Sequence, residues 1–174
     1  MDSKFYTVCN DKDILLEKND DDNYRISITI NPNKNNDFTL IDIITENELW
    51  NLLYELNSDN IETYELTNND NNTQNVFIKV KSSTEKQISD ELKEIIIHME
   101  SYYVNNIHNN TCTVYCNNIE PSTVKFNNFK IEVALTNKTE INISFILEDI
   151  NDLISTYIAL YIKKIFYRLS KYLT

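Results

Sequence analysis

The sequence predicts an α+β fold, an antiparallel sheet carrying about three helices, built from recurring strand-hairpin-helix units in the order ββββα, ββα, ββββα. Three observations predict it. Short runs alternate apolar and polar residues. Polar stretches rich in Asn and Asp separate them. Capping signals then open longer segments whose apolar residues recur at helical spacing. All 174 residues are expected to form one domain, because the length suits one core and no linker rich in Pro, Gly or Ser interrupts it.

The first unit opens with two short strands, Phe5 to Cys9 and Asp13 to Lys18. Tyr24, Ile26, Ile28 and Ile30 then alternate with polar residues, which is the pattern of a half-buried strand. Asn31 to Asp37 reads as a turn, and Phe38 to Ile44 as a further strand. Thr45 stands three residues before Glu48, a capping box for a helix with Leu49, Leu52, Leu53 and Leu56 on one face.

The second unit pairs Ile61 to Leu66 with Val76 to Lys81 across the polar loop Thr67 to Asn75. Thr84 and Gln87 then form a second capping box. Ile88, Leu92, Ile95, Ile96, Met99 and Tyr103 follow at helical spacing, so the reading here is a helix ending near Tyr103.

The third unit begins with strands at Thr111 to Cys116 and Thr123 to Phe126. Asn127-Asn128 is read as a hairpin turn, with Asn supplying the positive φ that glycine usually would. Phe129 to Leu135, the turn Thr136 to Thr139, and Glu140 to Leu147 make a second hairpin. A long helix is expected from Glu148 to Tyr172, with acids at its start and Lys163, Lys164, Arg168 and Lys171 near its end, as the helix dipole favours.

Composition excludes several activities. The chain has no glycine, so it holds no phosphate loop, no dinucleotide fingerprint and no Gly-x-Ser-x-Gly elbow. Abundant Asn, Asp, Ile, Tyr and Lys, with few Pro, Ala and Arg, point to AT-rich coding, as in a large DNA virus, a protist or an AT-rich bacterium. The net charge is −11 and only Arg25 and Arg168 are arginines, so nucleic acid is not an expected partner. The most apolar stretch, Leu153 to Ile162, is about half of a bilayer span, and no transmembrane segment is predicted. Cys9, Cys112 and Cys116 make no disulfide framework, and no apolar leader opens the chain. The expected location is intracellular, cytoplasmic or nuclear, and not secreted.

Candidate chemistry is sparse. His98, His108, Cys112 and Cys116 carry metal-ligating groups, but Cys112 and Cys116 on one strand would stand about 13 Å apart. Asp20-Asp21-Asp22 lacks the alternation and the glycine of a calcium loop. No catalytic residue, metal or cofactor is therefore assigned. The last helix is the distinctive surface, with Tyr157, Tyr161, Lys163, Lys164, Phe166, Tyr167, Arg168, Lys171 and Tyr172 as candidate partner-binding residues. A protein partner, or self-association through this helix, is expected.

These features point to a non-enzymatic protein-binding module, such as a viral modulator of a host protein or an acidic inhibitor or immunity protein. Two alternatives stand beside it, single-stranded nucleic-acid binding and a carboxylate- or metal-dependent enzyme. The repeated ββββα units resemble the topology of the Whirly and PUR single-strand nucleic-acid binders. That resemblance implies stacking and phosphate contacts from sheet residues, for which Phe77, Lys79 and Lys81 are the candidates.

Overall fold

The computed structural model describes residues 3–31, 39–69, 72–81 and 94–174. Three strands open the chain: β1 (Tyr6–Asp11), β2 (Ile14–Lys18) and β3 (Asn23–Ile30). Two helices follow, α1 (Leu40–Thr45) and α2 (Leu49–Asn57). Six further strands are β4 (Ile61–Asn68), β5 (Thr73–Val80), β6 (Ile96–Asn106), β7 (Thr111–Asn118), β8 (Lys125–Leu135) and β9 (Thr139–Glu148). The long helix α3 (Asp152–Tyr172) closes the chain. The α+β class holds, with a large antiparallel sheet and about three helices.

The nine strands of the described residues form one sheet in the order β1-β2-β3-β9-β8-β7-β6-β5-β4. The chain starts at one edge, crosses through α1 and α2 to the other, and returns strand by strand until β9 pairs with β3. The helices pack on one face, α3 on β2 and β3, α2 on β4, and α1 on β6 and β7. Leu16, Ile26, Ile141 and Ile143 face inward from the sheet, and Ile158, Phe166 and Leu169 meet that core from α3. Tyr24 stacks on Phe145, and its hydroxyl lies 2.7 Å from Ser155 Oγ, fixing the rotation of α3.

The element order differs from the predicted repeat. Residues 40–45 are helical, because the capping box sits at Thr39 and Asp42. The Thr39 amide donates to Asp42 Oδ2 at 2.8 Å, and the Asp42 amide donates to Thr39 Oγ1 at 3.2 Å. Leu40, Ile41 and Ile44 then share a buried helical stripe, where a short apolar run also fits a strand. Glu48 precedes α2 but its side chain makes no cap bond.

The largest correction concerns β6. Ile95, Ile97, Met99 and Ser101 are all buried and alternate with less buried neighbours, the period of a strand. Ile95, Ile96, Met99 and Tyr103 satisfy the helical period as well, and pairing with β5 and β7 decides between the two. The remainder of that predicted helix, from Thr84 through Leu92, lies outside the described residues, as do most of the predicted turn before α1 and Phe38.

Asn127-Asn128 is not a hairpin but an irregularity within one strand, β8, between Asn127 and Lys130. Asn128 does take φ 52. Positive φ also occurs at Asp22, Asn47, Asn72, Asn110 and Asp149, so Asn and Asp do the work of glycine at turns here. Helix α3 starts four residues after the predicted Glu148, where the Asn151 side chain accepts from the Ile154 amide.

Replacing Ile158 by Ala should cost about 2–5 kcal/mol, because it removes a side chain only 1% exposed at the α3–sheet contact. Lys164→Ala, on the exposed side of α3, should stay within about 0.5 kcal/mol of wild type. Urea denaturation of the two variants measures the contrast.

Candidate functional site

A cavity of about 40 Å³ lies between the sheet and the α2–α3 pair. Helix α2 turns Trp50, Leu53 and Tyr54 toward it, and α3 contributes Ile162, Ile165 and Phe166. Strands supply the floor, with Ile97 and Met99 from β6 and Phe126 and Phe129 from β8. Among the described residues no charged side chain lines it. The irregularity in β8 keeps Phe126 and Phe129 on the same inner face, edge to face at 5.0 Å.

The polar atoms at its margin are mostly engaged. Trp50 Nε1 donates to Ser101 Oγ at 3.0 Å. The rings of Tyr54 and Tyr64 stack at 4.4 Å, and the Tyr64 hydroxyl donates to Asn51 Oδ1 at 2.9 Å. Burial raises the Tyr64 pKa and holds the phenol neutral. Asn57, fully buried, donates through Nδ2 to the carbonyls of Leu53 (2.8 Å) and Ile165 (3.4 Å), tying α2 to α3. Its Oδ1 and the Tyr161 hydroxyl have no hydrogen-bond partner among the described residues.

Ion pairs fasten α3 at several points. Arg168 grips Asp59 with both terminal nitrogens and donates to the Leu56 carbonyl at 3.0 Å. Lys163 pairs with Asp11 and lies 3.0 Å from Cys9 Sγ. Lys18 bridges Asp22 (2.7 Å) and Asp152 (3.2 Å) at the start of the helix. The hydrogen bond from Lys163 holds the Asp11 pKa below the usual carboxylate range, and Arg168 does the same to Asp59.

The candidate residues on α3 therefore divide. Tyr161, Lys163 and Phe166 are buried, and Tyr157 and Arg168 half-buried, so these five turn toward the protein. Lys164, Tyr167, Lys171 and Tyr172 are exposed. The reason is layer packing: a helix across one sheet must bury its apolar stripe, and its bases answer acids from β1 and from the turn after α2.

Cys112 and Cys116 face the core from β7, where burial pushes their thiols up to about 11 and about 12. His98 sits edge-on to Phe77 at 5.5 Å, and His108 lies in a single 3-10 turn. Among the described residues no three His, Cys, Asp or Glu side chains come together as a metal set. Lys79 is held by Glu62 and Glu94, so the predicted phosphate-contacting role meets two acids. Among the described residues no helix is long and apolar enough to cross a membrane.

No family model matches the sequence, and no curated protein does. Solved structures do match the backbone. Human StAR-related lipid transfer protein 5 superposes with a TM-score of 0.66 at 8% identity, covering 99% of this chain and 88% of that one. The fold is that of the StAR-related lipid transfer domains. The lipid transfer and protein localization domain of human StarD13 superposes at 0.60 with 10% identity, over 97% of this chain and 89% of that one. A StAR-related protein from Xanthomonas axonopodis gives 0.57 at 8% identity, over 82% and 81%.

The StAR-related fold overturns the functional expectations drawn from composition. It replaces the protein-binding module, whether viral modulator, inhibitor or immunity protein, and both alternatives, the nucleic-acid binder and the carboxylate- or metal-dependent enzyme. The Whirly- and PUR-like resemblance fails for a further reason: among the described residues only β6 to β9 followed by α3 make a ββββα unit. Sequence reasoning missed the cavity because its walls are ordinary core residues. Trp50, the only tryptophan, was the one available signal.

Acid should loosen the fastening of α3. Ionised Asp11 and Asp59, with folded pKa values below the unfolded value of about 4, stabilise the fold above that pH. That stability is lost as pH falls through the lower folded values. Asp59→Asn should be less stable than wild type at neutral pH and should lose less on acidification. Urea midpoints measured from neutral to acid pH test the difference.

Proposed function

We propose that this chain is a non-enzymatic carrier that holds one lipid-like molecule between its sheet and the α2–α3 pair. The observation that carries the reading is a cavity without charged side chains, placed under the last helix of a StAR-related lipid transfer fold. An uncharged lining favours an acyl chain or fused-ring body, because a buried ionic headgroup would have no counter-charge there. Three free cysteines suit a reducing, intracellular setting.

At about 40 Å³ the cavity is well below the roughly 300–1,000 Å³ of ligand pockets. Loading therefore requires the α2–α3 seam to part. The seam is held by Asn57 and the Arg168–Asp59 pair, contacts that separate without breaking sheet hydrogen bonds.

Trp50 reports occupancy directly, since it is the sole tryptophan and lines the cavity. Brominated fatty acid should quench its emission, and the unbrominated acid should not. Ile162→Phe, which fills the space, should weaken the effect about tenfold or more, with far-UV circular dichroism unchanged. Quenching that is absent for fatty acids and for brominated phospholipid vesicles alike sinks the carrier reading.

A further inference from the structure

The sheet face turned away from the helices carries an open hollow of about 870 Å³. Its floor is one row of residues paired across neighbouring strands: Arg25 on β3, Ser144 on β9, Lys130 on β8, Tyr115 on β7 and Tyr102 on β6. Adjacent strands are about 4.8 Å apart, so Lys130 and Arg25 are rooted about 10 Å apart with the short Ser144 between them. A small residue between two long cations makes a notch.

The chemistry of the lining is unlike the rest of the surface. The chain has 27 acidic and 16 basic residues, yet among the described residues the hollow is lined by Arg25 and Lys130 and by no Asp or Glu. Both cations remain accessible, their side chains 45% and 40% exposed. Glu17 and Glu132, beyond the lining, hold them in place at 2.8 and 3.0 Å. The Glu17 contact uses Nε and one terminal nitrogen of Arg25, whose planar fork has five N–H donors in all.

Aromatic surface adjoins the cations on both sides. Tyr115 and Tyr102 stack at 5.2 Å, and each is 37% exposed. The Phe5 ring lies 4.3 Å from the Arg25 guanidinium carbon. Asn117 and Asn128 add amide donors on the far wall. Nothing in the lipid-carrier role uses these groups.

We infer that this hollow binds a small aromatic anion, a carboxylate or a phosphate monoester. Its anionic group sits over Ser144 between Lys130 and Arg25, and its ring lies against Tyr115. Charge-assisted hydrogen bonds supply the recognition of the anion, and ring stacking supplies the preference for an aromatic body. The acids elsewhere on the chain are screened at ordinary salt beyond about 8 Å.

Titration of the full chain with naphthoate and with naphthyl phosphate, followed by backbone amide shifts, tests the site. Binding of either anion with shifts centred on Ser144, Lys130 and Tyr115 is expected, and the tighter one names the anionic group. Neutral naphthalenemethanol and inorganic phosphate alone should bind roughly tenfold more weakly or worse. Arg25→Gln and Lys130→Gln should each weaken binding by roughly five- to tenfold. Glu17→Gln, which releases Arg25 from its partner, should tighten it. Ile162→Phe, in the cavity on the other face, should leave it unchanged. The assignment is overturned by an absence of binding, by equal binding of the neutral analogue, by indifference to the cation variants, or by shifts centred on Trp50 and Ile165.

Discussion

The pairing of β3 with β9 is the constraint on which the rest of the structure depends. It joins the opening three strands to the last of the six that follow α2, through a continuous register from Asn23–Ile146 to Ile30–Thr139. Without it the chain would be two separate antiparallel sheets, each with a further open edge. With it, the chain leaves β9 near the middle of the sheet, and α3 has nowhere to bury its apolar stripe except across the face it then crosses. Tyr24 and Phe145, partners in that register, supply the aromatic floor under the start of the helix.

Helix α3 is consequently both the largest core element outside the sheet and the lid of the cavity. These roles ask for different contacts. Ile158 and Leu169 are almost wholly buried and bind the helix through apolar area. Its margins are tied instead by side-chain pairs at Asp11 and Asp59, which depend on ionisation. Apolar burial is insensitive to pH, whereas paired carboxylates are not. An acidic environment would thus act on the margins of the helix before its centre.

The two faces of the sheet differ for the same geometric reason. Strand side chains alternate, so the strand residues on the cavity floor have neighbours pointing to the other face. Phe129 faces in while Lys130 faces out, and Cys116 faces in while Tyr115 faces out. The irregularity in β8 shapes both surfaces at once, holding two phenylalanines inward and opening the hollow beside Asn128.

Much was legible in the sequence by itself. The strands β3, β7 and β9 and the helices α2 and α3 were read along the chain, and the lack of glycine removed the phosphate-binding and acyl-transfer motifs. Asn128 was correctly read as a residue for positive φ. Other features depended on the rest of the chain. Residues 95–103 satisfy the helical and the strand period alike, and only hydrogen bonding to β5 and β7 made them a strand. Aromatic and basic residues of α3 looked like a surface until the sheet beneath claimed Tyr161, Lys163 and Phe166. Apart from the lone Trp50 the cavity left no trace, because Leu, Ile, Met and Phe at core positions look the same whether they close on each other or leave room for a ligand. Local periodicity is a property of neighbouring residues and can be read along the chain. Strand partners and enclosed space are properties of residues far apart, and only the tertiary structure decides them.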